Sequence, residues 1–460
     1  MAGFGSGLVR AFIQRRSKSL STTRIIALVF IGLILLGTLL LMLPAASRSG
    51  VACGFRSALF TATSATCVTG LVLHDTFTQW SGFGQVVIIC LIQIGGLGFM
   101  SVATLVVFML RRKLGLKQRM VMAQALSLND MEGVVRLQKW VIVGSLSIEA
   151  VGALILTVHF WPEFGFPTAL KWGVFHSISA FCNAGFDIFG CITPGASLVE
   201  FNSDPVVLLT LGSLVVIGGL GFLVWEEVVS FPKRRKLSVY ARLVLITTGI
   251  LLALGTVFVA LAEWNNPGTI GNMSTGDKIL NCFFQSVTTR TAGFAAVDQG
   301  AMTDAGKGVS ILLMFVGGSS GSTAGGVKTV TIMVLLLSLW AQARGKNSVT
   351  VFHRTIPAKQ VGNAMTIASI VTALAMVGAI FICATSEVGF TDGLFEAVSA
   401  LATVGITAGA TTKLSIAAQF LMIIYMYFGR VGVLTISLGF LMGNDAQERF
   451  RYAPTNLMIG

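Results

Sequence analysis

The stretch "TSATCVTGLV", residues 63–72, decides how this chain is read. It lies between two long apolar runs. Small and β-branched residues, with a glycine near the middle, make it a poor membrane helix, because glycine costs a helix interior about 1 kcal/mol relative to alanine. Its surroundings are nevertheless too apolar for an ordinary surface loop. Non-helical backbone is tolerated at membrane depth only where it is buried in protein or lines a watery cavity.

Composition supports a membrane setting. Of 460 residues, 54% are hydrophobic and 11% charged, whereas soluble domains carry about 25% charged residues. Residues 25–43 form an uncharged run between Arg24 and Pro44. That matches the roughly 20 residues needed to cross about 30 Å of hydrocarbon. A second uncharged run, 86–110, ends at the basic "RRK" of 111–113. "PAAS" at 44–47 resembles a signal-peptide cleavage site. The run before it is longer than the apolar core of a secretory signal, and further spans follow.

The net charge of +13 comes from 32 Lys and Arg against 19 Asp and Glu. Its distribution points to membrane topology rather than nucleic acid. Basic clusters fall at 10–24, 111–119, 233–242 and 344–359, at the same end of successive helix pairs. Asp75, Asp187, Glu200, Asp204, Asp277, Asp298, Asp304 and Asp392 fall in the alternate loops. Lys and Arg in short loops mark the cytoplasmic side. The N-terminus is therefore expected in the cytoplasm and 63–72 towards the outside. The seven cysteines show no CxxC spacing and read as buried neutral thiols. His74, His159, His176 and His353 are dispersed, mostly at span ends, and suggest no metal cluster.

The same order of elements occurs four times: apolar span, short semi-polar helix, glycine-centred stretch, second apolar span, basic loop. The units are 24–115, 138–235, 240–345 and 360–443, after an N-terminal segment 1–23 and before a tail 444–460. Each begins and ends on the same side, so the repeats are parallel about an axis along the membrane normal. The short segments "CGFRSALFTATSA", "LKWGVFHSISAF", "GDKILNCFFQSVT" and "TDGLFEAVSALA" are too short to cross and read as re-entrant helices. The expected fold is an all-α polytopic membrane protein, with four parallel span–pore-helix–loop–span repeats in four-fold pseudosymmetry around one ion pore.

The glycine stretches are "TCVTGL" (66–71), "FCNAGF" (181–186), "TRTAGF" (289–294) and "LATVGI" (401–406). Each has a glycine after two small, polar or β-branched residues, and a large apolar residue behind it. Glycine permits backbone angles that let successive carbonyls point one way. A bare ion in a low-dielectric medium costs tens of kcal/mol, and rings of carbonyl oxygens can replace its water. The candidate filter residues are Val68, Thr69 and Gly70; Asn183, Ala184 and Gly185; Thr291, Ala292 and Gly293; Thr403, Val404 and Gly405. K+ is the expected ion. One such stretch alone is no more than a helix contact through small residues; four at matched positions carry the reading.

With these motifs in view, the chain resembles the Trk/Ktr/HKT superfamily of potassium transporters, most closely its bacterial KtrB subunits. The resemblance rests on the four stretches, on "QIGGLGF" (93–99), "VIGGLGF" (216–222), "VGGSSGSTAGGVKT" (316–329) and "FGRVGVLT" (428–435). It implies potassium uptake through a single-chain pore in the bacterial plasma (inner) membrane, packed as a homodimer among membrane lipids. It also implies a cytosolic KtrA-type ring of nucleotide-binding RCK domains that controls the gate, and sodium dependence, with Na+ as a second ion. Two departures from four-fold chemistry stand out. Asn183 replaces Val68, Thr291 and Thr403, and Arg290 lies inside the third stretch, where it is expected to brace the loop by bonding carbonyls or an acid.

The gate candidates lie 24–33 residues beyond the filter glycines, where each second span carries a glycine pair or Gly-Arg. In the third unit this becomes Gly317, Gly318, Ser319, Ser320, Gly321, Ser322, Thr323, Ala324, Gly325 and Gly326. So many glycines and small polar residues should break that span near mid-membrane. A passive kink is one reading; the resemblance implies an intramembrane loop that plugs the pore. "GGSSG" and "GSTAGGVKT" imitate a nucleophile elbow and a P-loop, but the first lacks strand–turn–helix context and a His partner. The second has Val327 between glycine and lysine.

Arg430 is expected at helix centre, where an arginine costs about 2.5–3.5 kcal/mol on insertion scales. It is either a clamp on loop carbonyls or a positive barrier, which at ~7 Å and an effective dielectric of ~20 repels K+ by ~2 kcal/mol. Lys328 acts with it or anchors the loop. Glu149, inside "SLSIEAVGALIL", is expected to hydrogen-bond a neighbouring helix. Neither catalytic residue nor organic cofactor is expected. A secondary transporter of another small solute predicts intramembrane acids and inverted repeats. A non-conducting membrane scaffold does not require four matched glycine stretches.

Overall fold

The computed structural model describes residues 22–98, 134–346 and 348–432. These residues form helices α1 (Thr22–Leu41), α2 (Phe55–Thr66), α3 (Thr76–Gln79) and α4 (Gly82–Leu97) in the first unit. The second contains α5 (Val134–Phe164), α6 (Phe166–Phe181), α7 (Pro205–Leu220) and α8 (Phe222–Arg234). In the third come α9 (Val239–Glu263), α10 (Thr275–Thr288), α11 (Asp304–Phe315) and α12 (Thr329–Ala343). A hairpin of β1 (Thr350–Val351) and β2 (Arg354–Thr355) leads to α13 (Ala358–Thr385), α14 (Phe390–Leu401) and α15 (Ile416–Val431).

Among the described residues, four helices are long and apolar enough to cross a membrane: α1, α5, α9 and α13. They are the first spans of the four units. Leu35, Leu39, Leu154, Leu261 and Ile380 leave large apolar side chains on their outer surfaces, as lipid-facing helices do. The re-entrant helices α2, α6, α10 and α14 lie inside this ring. Most of their residues are buried, polar ones included. α6 begins at Phe166, four residues before the segment anticipated from sequence, because Pro167 in its first turn is compatible with a helix start.

The second spans depart from expectation. Only the third was expected to break, yet the first, second and fourth also stop, each at a glycine with left-handed φ. α4 ends at Leu97 before Gly98 (φ 81°), and α15 at Val431 before Gly432 (φ 93°). The continuous run read over 86–110 therefore ends as a helix at Leu97, and its remainder lies outside the described residues. α7 and α8 meet at Gly221 (φ 95°) and are bent by 99°. α8 is amphipathic where a second long apolar span was expected, because Glu226, Glu227 and Lys233 interrupt its apolar residues. Residues 1–21 of the N-terminal segment, the loop 111–119 and the tail 444–460 lie outside the described residues.

Two smaller expectations are corrected. Cys67, Cys182 and Cys282 are buried, but Cys90 and Cys191 are exposed, and Cys53 and Cys383 are half-buried. His176 lies buried in α6 rather than at a span end, with its ring stacked on Phe189 at 3.9 Å.

Candidate ion pathway

Each re-entrant helix stops at one of the glycine stretches, and the four stops share a backbone form. Val68, Asn183, Thr291 and Thr403 have φ of 57°, 60°, 68° and 52°. Two residues on, Gly70, Gly185, Gly293 and Gly405 have φ of 98°, 66°, 92° and 92°. The residues between, Thr69, Ala184, Ala292 and Val404, are not in this positive-φ class. Four non-glycine residues held left-handed at equivalent places store strain of about 1–3 kcal/mol each, which surrounding contacts must offset.

Those contacts are visible. Ser64 Oγ accepts from the Gly70 N–H at 3.0 Å, and Ser399 Oγ accepts from the Gly405 N–H at 3.1 Å. Ser179, Thr288 and Ser399 donate to the carbonyls of Phe186, Phe294 and Ile406 at 2.7, 2.6 and 2.7 Å. The large apolar residues behind the glycines, Leu71, Phe186, Phe294 and Ile406, are all buried.

The glycines also fix how closely the units approach. A Cβ on Gly70 would lie 2.5 Å from the carbonyl oxygen of Ala184, and one on Gly185 2.6 Å from that of Ala292. On Gly293 it would lie 2.6 Å from the Val404 oxygen, and on Gly405 it would run into the Thr69 oxygen. Unit one thus meets two, two meets three, three meets four and four meets one. The four stretches close a ring, and each glycine leaves room for a neighbour's carbonyl.

The third stretch is one residue shorter than the others, counted from the helix residue that braces it. Thr69, Ala184 and Val404 donate N–H bonds to carbonyls five residues back, at Ser64, Ser179 and Ser399. In the third unit Ala292 instead bonds Thr288, four back, and the helix stop shifts accordingly. Arg290 occupies this turn. It is 7% exposed, and the expected brace is not observed: its Nε has no hydrogen-bond partner and no acid pairs with it among the described residues.

A second tier of contacts was not anticipated from sequence. One side chain in each of three re-entrant helices braces the outward limb of its own stretch. His176 donates through Nδ1 to the Trp172 carbonyl at 2.8 Å, which leaves Nε2 to accept the Ile188 N–H at 3.2 Å. Glu396, fully buried, accepts from Thr407 Oγ1, from Thr411 Oγ1 at 2.6 Å and from the Ala408 N–H at 3.2 Å. Gln285 and Gln299 exchange amide bonds at 2.7 and 3.0 Å. These residues lie seven, seven and six positions before the left-handed residue. The shorter spacing is again the missing residue of unit three.

Below the ring lies 317–326. Its neck is closed by a bridge between Val316 and Val327, with Gly317 N–H on the Val327 carbonyl at 2.9 Å. Its backbone is tied to the break of the second unit, through Ser319 to Gly219 (3.0 Å), Thr323 to Gly218 (3.3 Å) and Phe222 to Gly321 (2.9 Å). Tyr240 of α9 donates to the Ser320 carbonyl at 2.9 Å. At the tip, Thr323 Oγ1 lies 3.1 Å from both the Phe181 carbonyl and Asn183 Oδ1, while Asn183 Nδ2 donates to Thr291 Oγ1 at 3.3 Å. A Cβ on Gly325 would run into the Thr403 hydroxyl. The loop therefore sits directly under the second and fourth stretches.

Arg430 joins the loop to the first unit. Its guanidinium donates to the carbonyls of Thr323, Gly95 and Gly96, the last at 2.9 Å. Lys328 donates to the carbonyls of Ala324 and Gly325 at 2.8 and 3.4 Å. Both cations thus bind backbone oxygens. Just past the second stretch, Asp187 accepts the Phe189 N–H at 3.3 Å. Burial, then the charge of Asp75, raises its carboxyl to about 7.

Comparisons with known proteins agree with this architecture. The family model described as TrkH, cation transport protein, matches residues 13–450. The potassium/sodium uptake protein NtpJ of Enterococcus hirae is 37% identical over 97% of this chain and 99% of its own length. The Ktr system potassium uptake protein B of Bacillus subtilis is 38% identical over 95% of this chain and 96% of its own. The crystal structure of the potassium transporter TrkH from Vibrio parahaemolyticus superimposes with a TM-score of 0.72 at 17% identity, covering 93% of this chain and 86% of that one. That likeness carries the fold, with its repeated span–pore-helix–loop–span units. Family and fold are those of a multi-pass transport protein, not a catalytic enzyme. The chain belongs to the TrkH family of cation transport proteins, within the Trk/Ktr/HKT superfamily and close to its bacterial KtrB subunits.

Proposed function

We propose that this chain is a potassium-translocating subunit that takes up K+ across the bacterial plasma membrane. The filter is built from the backbone of Val68–Thr69–Gly70 and its counterparts at 183–185, 291–293 and 403–405. The observation that carries this reading is the closed ring, in which each glycine makes room for the neighbouring unit's carbonyl. Carbonyl oxygens compensate a cation for lost water without needing an acid. The re-entrant helices add the favourable field of their C-terminal ends. Inward movement is downhill at about 2.3 kcal/mol per charge per 100 mV.

In the same reading 317–326 is the gate, held shut by Arg430 and Lys328. Their carbonyl bonds favour a clamp, and the nearness of Arg430 to the loop tip adds a positive barrier. The units 24–115, 138–235, 240–345 and 360–443 are the structural repeats. The chain works as a homodimer with the N-terminus in the cytoplasm, under control of a KtrA-type RCK ring docked on the basic loops. Sodium serves as a second ion, a reading supported by the potassium/sodium uptake named for the Enterococcus hirae relative. The test is rubidium uptake in proteoliposomes with Gly70→Ser, Gly185→Ser, Gly293→Ser and Gly405→Ser taken one at a time. Loss of uptake in each is expected; four variants with unchanged uptake and cation competition would sink the filter reading.

A further inference from the structure

Glu149 is the acid that the ion pathway leaves unexplained. It lies in α5, is 4% exposed, and has no cation against it among the described residues. An intramembrane acid is costly and marks a functional candidate. Its two oxygens accept from Gln93 Nε2 of α4 at 3.0 and 2.9 Å. The Cys182 thiol stands 3.6 Å from Gln93 Oε1 and 4.0 Å from Glu149 Oε1. The Glu149 backbone carbonyl accepts from Ser177 Oγ of α6 at 2.6 Å. One residue therefore ties α5 to both α4 and α6.

What this junction supports is specific. Cys182 ends α6 and directly precedes Asn183, the filter position with an amide side chain. Gly96, one turn beyond Gln93, packs so closely on Cys182 that a Cβ there would lie 2.6 Å from its sulfur. The carbonyl of the same Gly96 seats Arg430 at 2.9 Å. Rotating α4 would shift the turn before Asn183 and the seat of Arg430 together.

We propose that Glu149 is a positioning residue that sets cation specificity, by holding Gln93 and Cys182 and thereby the second stretch of the filter. The inference rests on the filter reading above. Weakening the Glu149–Gln93 pair should change discrimination by about tenfold, which corresponds to about 1.4 kcal/mol.

The experiment is rubidium uptake in proteoliposomes with sodium as competitor. E149Q should lose about tenfold in rubidium-over-sodium preference, with the maximal rate within about twofold of the unaltered protein. The exchange Q93E with E149Q places the carboxylate on the opposite partner and should restore the preference. If E149Q does not fold, Q93L breaks the same pair from α4 and is read the same way. Unaltered preference in E149Q or Q93L, or no recovery in the exchange, overturns the inference while the filter stands. Absence of rubidium uptake by the unaltered protein overturns the filter reading and this inference with it.

Discussion

Two levels of the same four units obey different rules. At the level of the glycine stretches the units are near copies: a left-handed residue, one without positive φ, a left-handed glycine and a buried apolar side chain. One level down they diverge. The first unit ends its helix at Leu97, the second bends by 99°, the third opens into 317–326, and the fourth supplies Arg430. On the proposed reading, an ion on the axis meets all four stretches at once, so their backbones must match. A plug on the axis leaves room for one loop, so the level beneath must be unequal. Symmetry suits the proposed filter and asymmetry suits the proposed gate.

Substitutions that add a Cβ at the symmetric level should do the most damage. Each filter glycine replaced by serine faces a neighbour's carbonyl and an unfavourable left-handed φ of about 1–2 kcal/mol. We expect rubidium uptake to fall by about 100-fold or more, which needs only ~2.7 kcal/mol. Gly405→Ser should be the most severe, because its Cβ makes the closest approach. Equal, mild effects in flux assays would mean that the ring is not the conducting path.

At the asymmetric level the sign should reverse. Arg430→Ala removes three carbonyl bonds to the loop and to α4. Charge-assisted bonds of this type contribute about 1.5–3 kcal/mol, so uptake should rise by about tenfold in a protein that still purifies as a monodisperse species. Deleting residues from 317–326 should act in the same direction. A folded Arg430→Ala protein with lower uptake would remove both the clamp and the barrier from consideration.

Thr323→Val isolates the contact where the two levels touch. It deletes the hydroxyl bonds to Asn183 and Phe181 and leaves Arg430 in place. At about 1 kcal/mol for a neutral bond, an increase in uptake of roughly fivefold or less is expected. Combining it with Arg430→Ala should give less than the product of the two effects, because both release one loop; a fully multiplicative result would separate them.

The smallest effect belongs to the outer mouth. With its carboxyl raised to about 7 by burial and then by Asp75, Asp187 is charged above neutrality and neutral below. A carboxylate near ~5 Å in water attracts a cation by ~0.8 kcal/mol. Rubidium uptake at low rubidium should therefore drop about threefold or less as external pH falls through 7, and Asp187→Asn should flatten that profile. A pH dependence unchanged in Asp187→Asn would assign it to another group.

Much of this was legible in the chain. Uncharged runs bounded by basic clusters give the spans, and the recurrence of a glycine after a short semi-polar helix gives four units. The resemblance of "VGGSSGSTAGGVKT" to a known family pointed to the broken third span. Other features were hidden for identifiable reasons. The breaks at Gly98, Gly221 and Gly432 lie inside apolar sequence that looks continuous by composition. The one-residue shortening beside Arg290 is invisible without the backbone bonds of the other stretches for comparison. His176, Gln285 and Glu396 become counterparts only when the outward limb that each one braces is known. Arg290 was expected to find acceptors that its surroundings do not offer.

The sequence by itself determined the membrane class, the four-fold repeat and the glycines on which the stretches turn. These follow from hydropathy and from the backbone freedom of single residues, which are local properties. Tertiary structure decided which carbonyl stands against which glycine, where each second span stops, and what Arg430 holds. Arg430 reaches across 107 residues to Thr323 and 335 to Gly95, and Glu149 reaches 56 to Gln93. Partners at such separations are set by how four units close around one axis, and no local pattern encodes that closure.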